Sequence, residues 1–261
     1  MSAAPLCLVP TGFGINCEAE TAHAFELAGG RVETPHLSDL AAQPERLASA
    51  RILAFAGGFS FGDHLGAGRA LAMRVRTRLG AALERFVADG GLVIGICNGF
   101  QTMVRLGLLP AGHIGEQSVT LAENHHGAFY DGWVTLAFDA ASPCVWTRGL
   151  ERMDVPVRHG EGRLICSPAA RARVESEHLA PCRYLDPESG RAAERFPHNP
   201  NGSEGGLAGL CDPSGRIFGL MPHPEAFLYA ENHPAWRRGG ANSPRGLEIF
   251  RRGIEAARAG A

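Results

Sequence analysis

The sequence predicts an α/β domain built on a mostly parallel β-sheet with flanking helices and a small antiparallel annex. Three features of the pattern lead to this prediction. In the first half of the chain, short apolar runs end in glycine-rich turns and lead into stretches with helical spacing. The run Leu92–Ile96 is apolar throughout, as in a strand that is buried on both faces. In the second half, residues 132–138 alternate in the manner of a half-solvated strand.

Strands and helices alternate along the first half, which predicts a parallel sheet with its functional loops at the carboxyl ends of the strands. Paired glycines end two of the helices, as expected of C-terminal caps. The predicted elements are, in chain order, strand 6–10, helix 19–27, strand 51–56, helix 67–89, strand 92–96 and helix 101–109.

The second half is predicted to contain further short strands at residues 153–158 and 217–221. Residues 167–206 are rich in Pro, Gly, Arg and Glu, a composition typical of surface hairpins and loops. The sequence contains no internal repeat and no convincing linker, so residues 1–261 are predicted to form a single domain.

The composition excludes several classes of protein. Of the 261 residues, 45% are hydrophobic and 20% are charged, as in an ordinary soluble globular protein. A net charge of -2 gives no electrostatic reason to expect a nucleic acid or an anionic membrane as partner. All 25 basic residues are arginine, which excludes mechanisms that need a Schiff-base or P-loop lysine.

The seven cysteines include no C-x-x-C pair, so we expect reduced thiols in a cytoplasmic protein. The N-terminal residues lack the pattern of a secretory signal. No apolar stretch reaches the roughly 18 residues that a membrane-spanning helix needs.

The strongest local signal is G-L-V-I-G-I-C-N-G-F-Q at residues 91–101, where a buried strand runs directly into a helix. Cys97 occupies the turn between them, as the nucleophile does in a nucleophile elbow. Such a turn directs the sulfur toward a substrate, and the N-terminus of the following helix stabilises a thiolate. The pattern predicts that Cys97 is a nucleophile. The other six cysteines are interpreted as buried apolar residues.

A thiolate nucleophile needs a base and a third group that orients the base. His223 follows the apolar run 217–221 and has proline on both sides, which holds its imidazole at a strand end. Glu225 lies two residues further on, and in an extended segment this spacing puts both side chains on one face. Cys97, His223 and Glu225 are therefore predicted to form a catalytic triad.

An acyl-transfer site also needs N–H donors for the developing oxyanion. One predicted donor is the backbone of Asn98, next to the nucleophile. The other is Gly58, in the loop A-G-G-F-S-F-G-D at residues 56–63, which ends the preceding strand. Gln101, one turn into the elbow helix, is the only substrate contact that the sequence places.

No metal site is predicted. The adjacent His125 and His126 would point apart on a strand, and neither has a histidine partner at i+4.

Three motifs, G-I-C-N-G-F-Q, A-G-G-F-S-F-G-D and G-L-M-P-H-P-E, together resemble those of class I glutamine amidotransferases. More narrowly, they resemble the glutaminase subunit of phosphoribosylformylglycinamidine synthase. Further matches include P-V-R-H-G-E-G-R and N-P-N-G-S, and the set runs in the family's order from about residue 8 to residue 227. H-P-E alone is a weak signal, whereas the ordered set is highly specific.

The resemblance implies a doubly wound, flavodoxin-like fold and the hydrolysis of L-glutamine to glutamate and ammonia. Cys97 would attack the amide carbon, and His223 would protonate the departing ammonia. Glu225 would hold the imidazole in its productive tautomer. Gly58 and Asn98 would form the oxyanion hole.

The resemblance also implies partners. The ammonia would pass to a separate synthetase subunit, which uses ATP and Mg²⁺ to convert formylglycinamide ribonucleotide into its amidine, the fourth step of purine biosynthesis. A small third subunit would bridge the two. No cofactor is expected in this chain, which fits the lack of a P-loop and of lysine.

The sequence departs from the family's pattern in places. Ala128 and Gly132 stand where arginines are common, so the contacts of those arginines cannot be assigned to this chain. The segment after the triad, residues 227–244, is longer than a minimal subunit needs. We interpret residues 235–261 as a partner-facing surface that ends in a helix at residues 244–257.

His159 and Glu161 in R-H-G-E-G-R have two interpretations. By resemblance, this segment lies near the active site or the subunit interface. From the sequence alone, a hairpin with Gly160 and Gly162 at positive φ fits equally well.

Two other functions stay open. One is a non-catalytic regulatory homologue, and the other is a Cys-dependent hydrolase on a related α/β scaffold. The intact set of Cys97, His223 and Glu225 argues against the first. The motifs P-H-P-E and N-P-N-G-S argue against the second.

Overall fold

The computed structural model describes residues 3–238 and 245–260. None of the helices in these ranges is long and apolar enough to cross a lipid bilayer. The strands are β1 (Leu6–Leu8), β2 (Arg31–Glu33), β3 (Ile52–Phe55), β4 (Leu92–Ile96), β5 (Val119–Ala122), β6 (Tyr130–Phe138), β7 (Arg152–His159), β8 (Arg163–Cys166), β9 (Cys182–Asp186), β10 (Arg191–Ala192), β11 (Gly209–Cys211) and β12 (Ile217–Leu220). The helices are α1 (Glu18–Leu27), α2 (Leu37–Ala42), α3 (Arg69–Ala88), α4 (Asn98–Arg105), α5 (Leu108–Ala111), α6 (Pro168–Ser176) and α7 (Leu247–Ala259).

Six strands form the central sheet in the order β11-β12-β4-β3-β1-β2. All neighbours in it are parallel except β11, which pairs antiparallel with β12. Among the parallel strands this is the 2-1-3-4-5 order of flavodoxin-like folds, so the predicted doubly wound sheet is confirmed. The strand order reverses between β1 and β3, and such sheets bind ligands beyond the carboxyl ends of the strands at that point.

Two groups of helices flank this sheet: α1 contacts α7, and α3 contacts α2 and α4. The predicted elements of the first half are all present. The largest shift is in the last helix, predicted at 101–109, because α4 begins directly after Cys97 and ends at Arg105. Strand β2 was missed because it is a short edge strand without a fully buried residue, so it leaves no apolar run in the sequence.

The antiparallel annex is confirmed as a four-stranded sheet, β10-β9-β6-β7, and a two-stranded sheet, β5-β8. The prediction that residues 167–206 form only surface hairpins and loops was wrong. This segment contains α6 and the strand β9, in which Cys182 and Tyr184 are fully buried. The strand forms by pairing with the distant β6, and the interspersed Arg183 concealed its apolar face in the sequence.

Helix α7 packs its apolar face onto the protein's own core. Phe250 meets Phe25 of α1 edge-on, with 4.9 Å between ring centroids. The helix was predicted at residues 244–257, and Pro244 lies outside the described residues, as do the others from 239 to 244 and residue 261. The partner-facing role of residues 235–261 stays a prediction.

Candidate active site

Cys97 lies in a sharp turn between the buried strand β4 and helix α4. Its backbone has φ 50° and ψ -106°, a strained conformation for a residue with a side chain. Gly99 makes the turn possible, because a Cβ at this position would collide with the backbone oxygen of Phe55 in β3. The Cys97 Sγ lies 3.7 Å from the backbone oxygen of Arg158 and at the positive end of α4. This is the geometry of a nucleophile elbow.

His223 and Glu225 form a short, buried hydrogen bond. His223 Nδ1 lies 2.6 Å from Glu225 Oε1, and the two residues are 1% and 2% exposed. The expected pairing is present, but the expected extended backbone is not: residues Pro224–Ala226 form a 3₁₀ turn, with Pro224 in its first position. The His223 N–H donates to the backbone oxygen of Pro156 at 2.8 Å, which fixes the turn to β7.

The pKa of the His223 imidazole is held well above its ordinary value. Burial favours the neutral ring, but the charge of Glu225 and the nearby Cys97 outweigh it. Cys17 lies beside the same ring and also raises its pKa. The Nε2 atom of His223 has no aligned hydrogen-bond partner among the described residues, so it is available to exchange a proton.

The loop after β3 holds Gly58 at φ 148°, a region that favours glycine. A Cβ there would lie 2.8 Å from the backbone of Ile15 and its neighbours. The loop pairs with residues 14–16 through Phe59 N–H to Gly14 O at 2.9 Å and Asn16 N–H to Gly57 O at 3.3 Å. Neither bond uses the Gly58 N–H, and Gly58 lines the same cavity as the Cys97 sulfur.

Asn98 is the first residue of α4, where a backbone N–H has no acceptor within the helix. Its buried side chain holds the loop after β3 in place: Oδ1 accepts from the Ser60 N–H at 3.2 Å, and Nδ2 donates to Asp63 Oδ1 at 3.1 Å. The sequence predicted only a backbone role for Asn98. The side-chain bonds, formed across 35 residues or more, fix the distance between the two predicted oxyanion donors.

Gln101 lines the cavity beside Cys97, and both ends of its amide are engaged within the protein. Its Nε2 donates to the backbone oxygen of Glu161 at 2.6 Å, and its Oε1 accepts from Asn98 at 2.9 Å. These bonds anchor the 158–162 turn to α4. The direct substrate contact predicted for Gln101 stays a prediction.

Two adjoining cavities of ≈ 210 Å³ each meet at the Cys97 sulfur. The first extends toward Cys17 and His223, and the second extends toward the carboxylates of Asp63 and Glu161. Burial raises the pKa of Asp63, and Glu161 Oε2 accepts from the Ala67 N–H at 3.1 Å. Residues that line both are Gly58, Phe59, Cys97, Phe129 and Arg158.

The comparisons with known proteins agree with this geometry. The model of the CobB/CobQ-like glutamine amidotransferase domain matches residues 4–255. Subunit PurQ of phosphoribosylformylglycinamidine synthase from Dehalococcoides mccartyi is 46% identical over 246 residues, which cover 94% of each chain. This chain belongs to the PurQ family of glutamine amidotransferases.

Other relatives are consistent with the PurQ family. Phosphoribosylformylglycinamidine synthase from Homo sapiens is 36% identical over 230 residues, 81% of this chain and 17% of that much longer protein. The solved structure of PurLQS from Thermotoga maritima superposes with a TM-score of 0.72 at 26% identity, over 97% of this chain and 98% of that one.

The two departures from the PurQ pattern fit their surroundings. A side chain at Gly132 in β6 would have to displace the Tyr130 ring, whose hydroxyl would lie 2.6 Å from the new Cβ. The Ala128 backbone oxygen accepts from Asn124 Nδ2 at 3.0 Å, so this turn is held without an arginine. His126, set aside as a metal ligand, has its Nε2 3.1 Å from the backbone oxygen of Pro200.

His159 lies at the end of β7 next to the second cavity, in agreement with the interpretation based on resemblance. Its Nδ1 lies 3.1 Å from Asn124 Oδ1, and its Nε2 lies 3.5 Å from Asn201 Nδ2. Burial, and then the charge of His223, lower its pKa to about 3, so the ring is neutral. The N-P-N-G-S motif supplies Asn201 to this buried network, which gives that motif a structural role.

Cys17 was interpreted as one of six buried apolar cysteines, and it is buried. Sequence reasoning did not predict that it also lines the cavity next to His223. The loop between β1 and α1 brings it there by pairing with the loop after β3. Its position directly before a helix, after a glycine-rich turn, was the only signal in the sequence.

Proposed function

We propose that this chain hydrolyses the side-chain amide of L-glutamine through a thioester on Cys97. The observation that carries the proposal is the short His223–Glu225 bond beside a cysteine in a strained elbow, all facing one cavity. A carboxylate-oriented imidazole next to a thiol is the arrangement that nucleophilic acyl transfer requires.

In the first half-reaction, the Cys97 sulfur attacks the amide carbon and a carbon–sulfur bond forms. The carbonyl oxygen becomes an oxyanion, which the N–H groups of Gly58 and Asn98 stabilise, each by roughly 3 kcal/mol. His223, protonated because its pKa is raised, donates its proton to the amide nitrogen. The carbon–nitrogen bond then breaks and ammonia leaves.

In the second half-reaction, the neutral His223 takes a proton from a water molecule, and the hydroxide attacks the thioester. The carbon–sulfur bond breaks, glutamate is released and Cys97 regains its thiolate next to the protonated imidazole. Throughout both half-reactions, the hydrogen bond of Glu225 to Nδ1 keeps Nε2 directed at the reacting atoms.

Asp63 and Glu161 are the groups that fit the α-ammonium of glutamine. They line the second cavity, which starts at Cys97, and their negative charges are complementary to an ammonium group. Arg158, which lines both cavities, fits the α-carboxylate. Gln101 holds the turn that carries Glu161, so it supports this subsite through that residue.

The ammonia is passed to a synthetase subunit. This part of the proposal is supported by relatives named as a subunit of phosphoribosylformylglycinamidine synthase and by the PurLQS assembly. Exposed apolar side chains at the cavity mouth offer a contact surface: Phe59 and Phe129 are 48% and 53% exposed, with ring centroids 6.2 Å apart. The synthetase would bind ATP and Mg²⁺, a small third subunit would bridge the two, and the complex would work in the cytoplasm.

The test is glutamate release from glutamine by wild type and Cys97→Ala, each alone and with the cognate synthetase and bridging subunits. We expect release in the complex that disappears with Cys97→Ala, while added ammonia still supports amidine formation. Complex formation without glutamate release in any mixture would favour the non-catalytic regulatory homologue. Release without dependence on Cys97 would contradict the mechanism.

A further inference from the structure

Asn98 has a fully buried side-chain amide that contacts three separate parts of the site. Its Oδ1 accepts from the Ser60 N–H at 3.2 Å. Its Nδ2 donates to Asp63 Oδ1 at 3.1 Å and to Gln101 Oε1 at 2.9 Å. An amide nitrogen carries two N–H donors, and both are used in these bonds. The amide nitrogen is therefore committed to the protein and not to the substrate.

The bond to Ser60 leads to the predicted oxyanion hole. Ser60 lies two residues after Gly58, whose N–H is one of the two predicted oxyanion donors. On its other side, this loop pairs with residues 14–16. Residues 61–63 follow with left-handed φ values of 55°, 66° and 53°, and two of the three are not glycine. Such a backbone costs free energy, so the position of the loop depends on the contacts that hold it.

The bond to Asp63 leads to the place proposed for the α-ammonium of glutamine. Asp63 and Glu161 line the second cavity together. Burial is the largest cause of the raised pKa of Asp63, the Asn98 amide lowers this pKa, and the charge of Glu161 raises it. An ammonium group beside Asp63 favours the ionised carboxylate, and an ionised acceptor forms a stronger hydrogen bond with an amide N–H. A bound ammonium therefore strengthens the bond between Asp63 and Asn98.

The bond to Gln101 connects the same amide to Glu161. Gln101 Nε2 donates to the backbone oxygen of Glu161 at 2.6 Å. The carboxylate of Glu161 is held in turn, because its Oε2 accepts from the Ala67 N–H at 3.1 Å. Both carboxylates proposed for the α-ammonium are thus linked to Asn98, one directly and one through Gln101.

We propose that Asn98 is a positioning residue whose side chain couples recognition of the α-ammonium to the formation of the oxyanion hole. This inference rests on the proposed function. When the ammonium binds at Asp63, the Asn98 amide is held more firmly. Its Oδ1 then fixes Ser60, and with it the N–H of Gly58, at the place where the oxyanion develops.

The coupling determines specificity among primary amides. An amide without an α-ammonium reaches Cys97 but leaves the loop after β3 less firmly held, so it is hydrolysed slowly even when it is bound. The free energy of binding a distant group of the substrate is in this way used in the transition state. Removal of that group then lowers kcat and does not only raise KM.

The test compares L-glutamine with 4-carbamoylbutanoate, which is glutamine without its α-amino group, as substrates of the reconstituted complex. Release of glutamate or glutarate gives kcat and KM for each. In wild type, we expect kcat to be at least about tenfold lower for the truncated substrate. In Asn98→Ala, kcat for L-glutamine should fall about 10- to 100-fold, and the two substrates should then have kcat values within about twofold of each other. This substitution keeps the backbone N–H, so the change reports on the side chain.

Asp63→Asn is the second variant, because it changes the charge at the subsite and keeps an oxygen that can accept from Asn98. We expect a higher KM for L-glutamine and a ratio of the two kcat values at least about threefold smaller than in wild type. Asp212→Ala is the matched control. It removes a buried acceptor, 2.9 Å from the Ile217 N–H, at the opposite end of the parallel strands from Cys97. It should keep the wild-type ratio.

A merely structural role of Asn98 would lower kcat for both substrates by the same factor. An unchanged ratio in Asn98→Ala, or in Asp63→Asn if the first variant does not fold, would therefore overturn the coupling and leave the proposed function standing. Equal kcat values for the two substrates in wild type would overturn the coupling as well. No hydrolysis of L-glutamine by the wild-type complex would refute the proposed function, and the coupling with it.

Discussion

Two histidines at the active site, His223 and His159, are equally buried and yet differ in charge state. They are 1% and 2% exposed, and in both rings burial by itself acts to lower the pKa. The Nδ1 of His223 lies 2.6 Å from a carboxylate oxygen of Glu225, whereas the Nδ1 of His159 lies 3.1 Å from the amide oxygen of Asn124. The pKa of the first ring is well above its ordinary value, and that of the second is about 3.

The difference shows that burial alone keeps a histidine neutral, whereas a buried carboxylate beside the ring favours its charged form. An amide oxygen can accept from a neutral ring but cannot balance the charge of an imidazolium. The two rings are also coupled, because the charge of His223 is the second cause of the low pKa of His159. A neutral His159 adds no second positive charge next to the protonated imidazole of His223.

Substitution of each histidine in turn should separate their roles and change kcat the most. We predict that His223→Gln lowers kcat for glutamine hydrolysis by about 10⁴- to 10⁶-fold, because the thiol loses its proton acceptor. His159→Gln should keep kcat within about tenfold of wild type, since that ring exchanges no proton with substrate. Steady-state glutamate release by the complex measures both. Equal losses in the two variants would contradict the division of roles.

A smaller loss of kcat is expected when the carboxylate of Glu225, which distinguishes the surroundings of His223, is replaced by an amide. Glu225→Gln should lower kcat about 10³- to 10⁴-fold with little change in KM for glutamine, because Glu225 orients the base without touching substrate. The same kinetic assay, extended over glutamine concentration, separates the two constants. A raised KM with unchanged kcat would refute the orienting role.

The converse substitution places a carboxylate beside His159, as Glu225 lies beside His223. In Asn124→Asp the carboxylate should raise the pKa of His159 from about 3 by about 1 to 3 pH units. The variant should also be destabilised, since Asn124 Nδ2 donates to the backbone oxygens of Ala128 and His159. Ring NMR titration measures the pKa. Asn124→Ala, which loses the same donors without adding charge, is the control and should not show the rise.

The smallest effect is on the pH dependence of stability. The folded-state pKa of His159 is below the ordinary 6.5, so its contribution is complete above pH 6.5 and is lost as pH falls toward 3. The folded-state pKa of His223 is above 6.5, so its contribution is complete below pH 6.5 and is lost as pH rises through the folded-state value.

Urea unfolding at a series of pH values measures this dependence, with a slope of at most about 1.4 kcal/mol per pH unit for each group. We expect His159→Gln to flatten the acid limb and His223→Gln to flatten the alkaline limb. The reverse assignment of limbs would contradict the opposite pKa shifts.

The features that were predicted correctly are those that a short stretch of the sequence indicates by itself. The apolar run of β4 and the glycines around Cys97 report a buried strand and a tight turn, and both are as predicted. The β–α alternation in the first half predicted a parallel sheet, and the central sheet is mostly parallel, although its edge strand β2 was missed. His223 and Glu225 are two residues apart, so their pairing needed only a local turn, although that turn is 3₁₀ and not extended.

The parts that the sequence did not predict depend on contacts between distant segments. Cys17 reaches His223 because two loops pair across the sheet edge. Asp63 reaches Asn98 because the loop after β3 takes positive φ values, 53° at Asp63 itself, which a non-glycine residue rarely adopts. The propensities of the individual residues do not indicate these contacts between distant segments.

The location of the covalent intermediate is the most direct test of Cys97 as the nucleophile. The reconstituted complex is mixed with glutamine, quenched with acid, digested and mapped by mass spectrometry. We predict a glutamyl thioester on the peptide that contains Cys97, and its disappearance in Cys97→Ala. A glutamyl adduct on Cys17, or glutamate release without any adduct on Cys97, would contradict it.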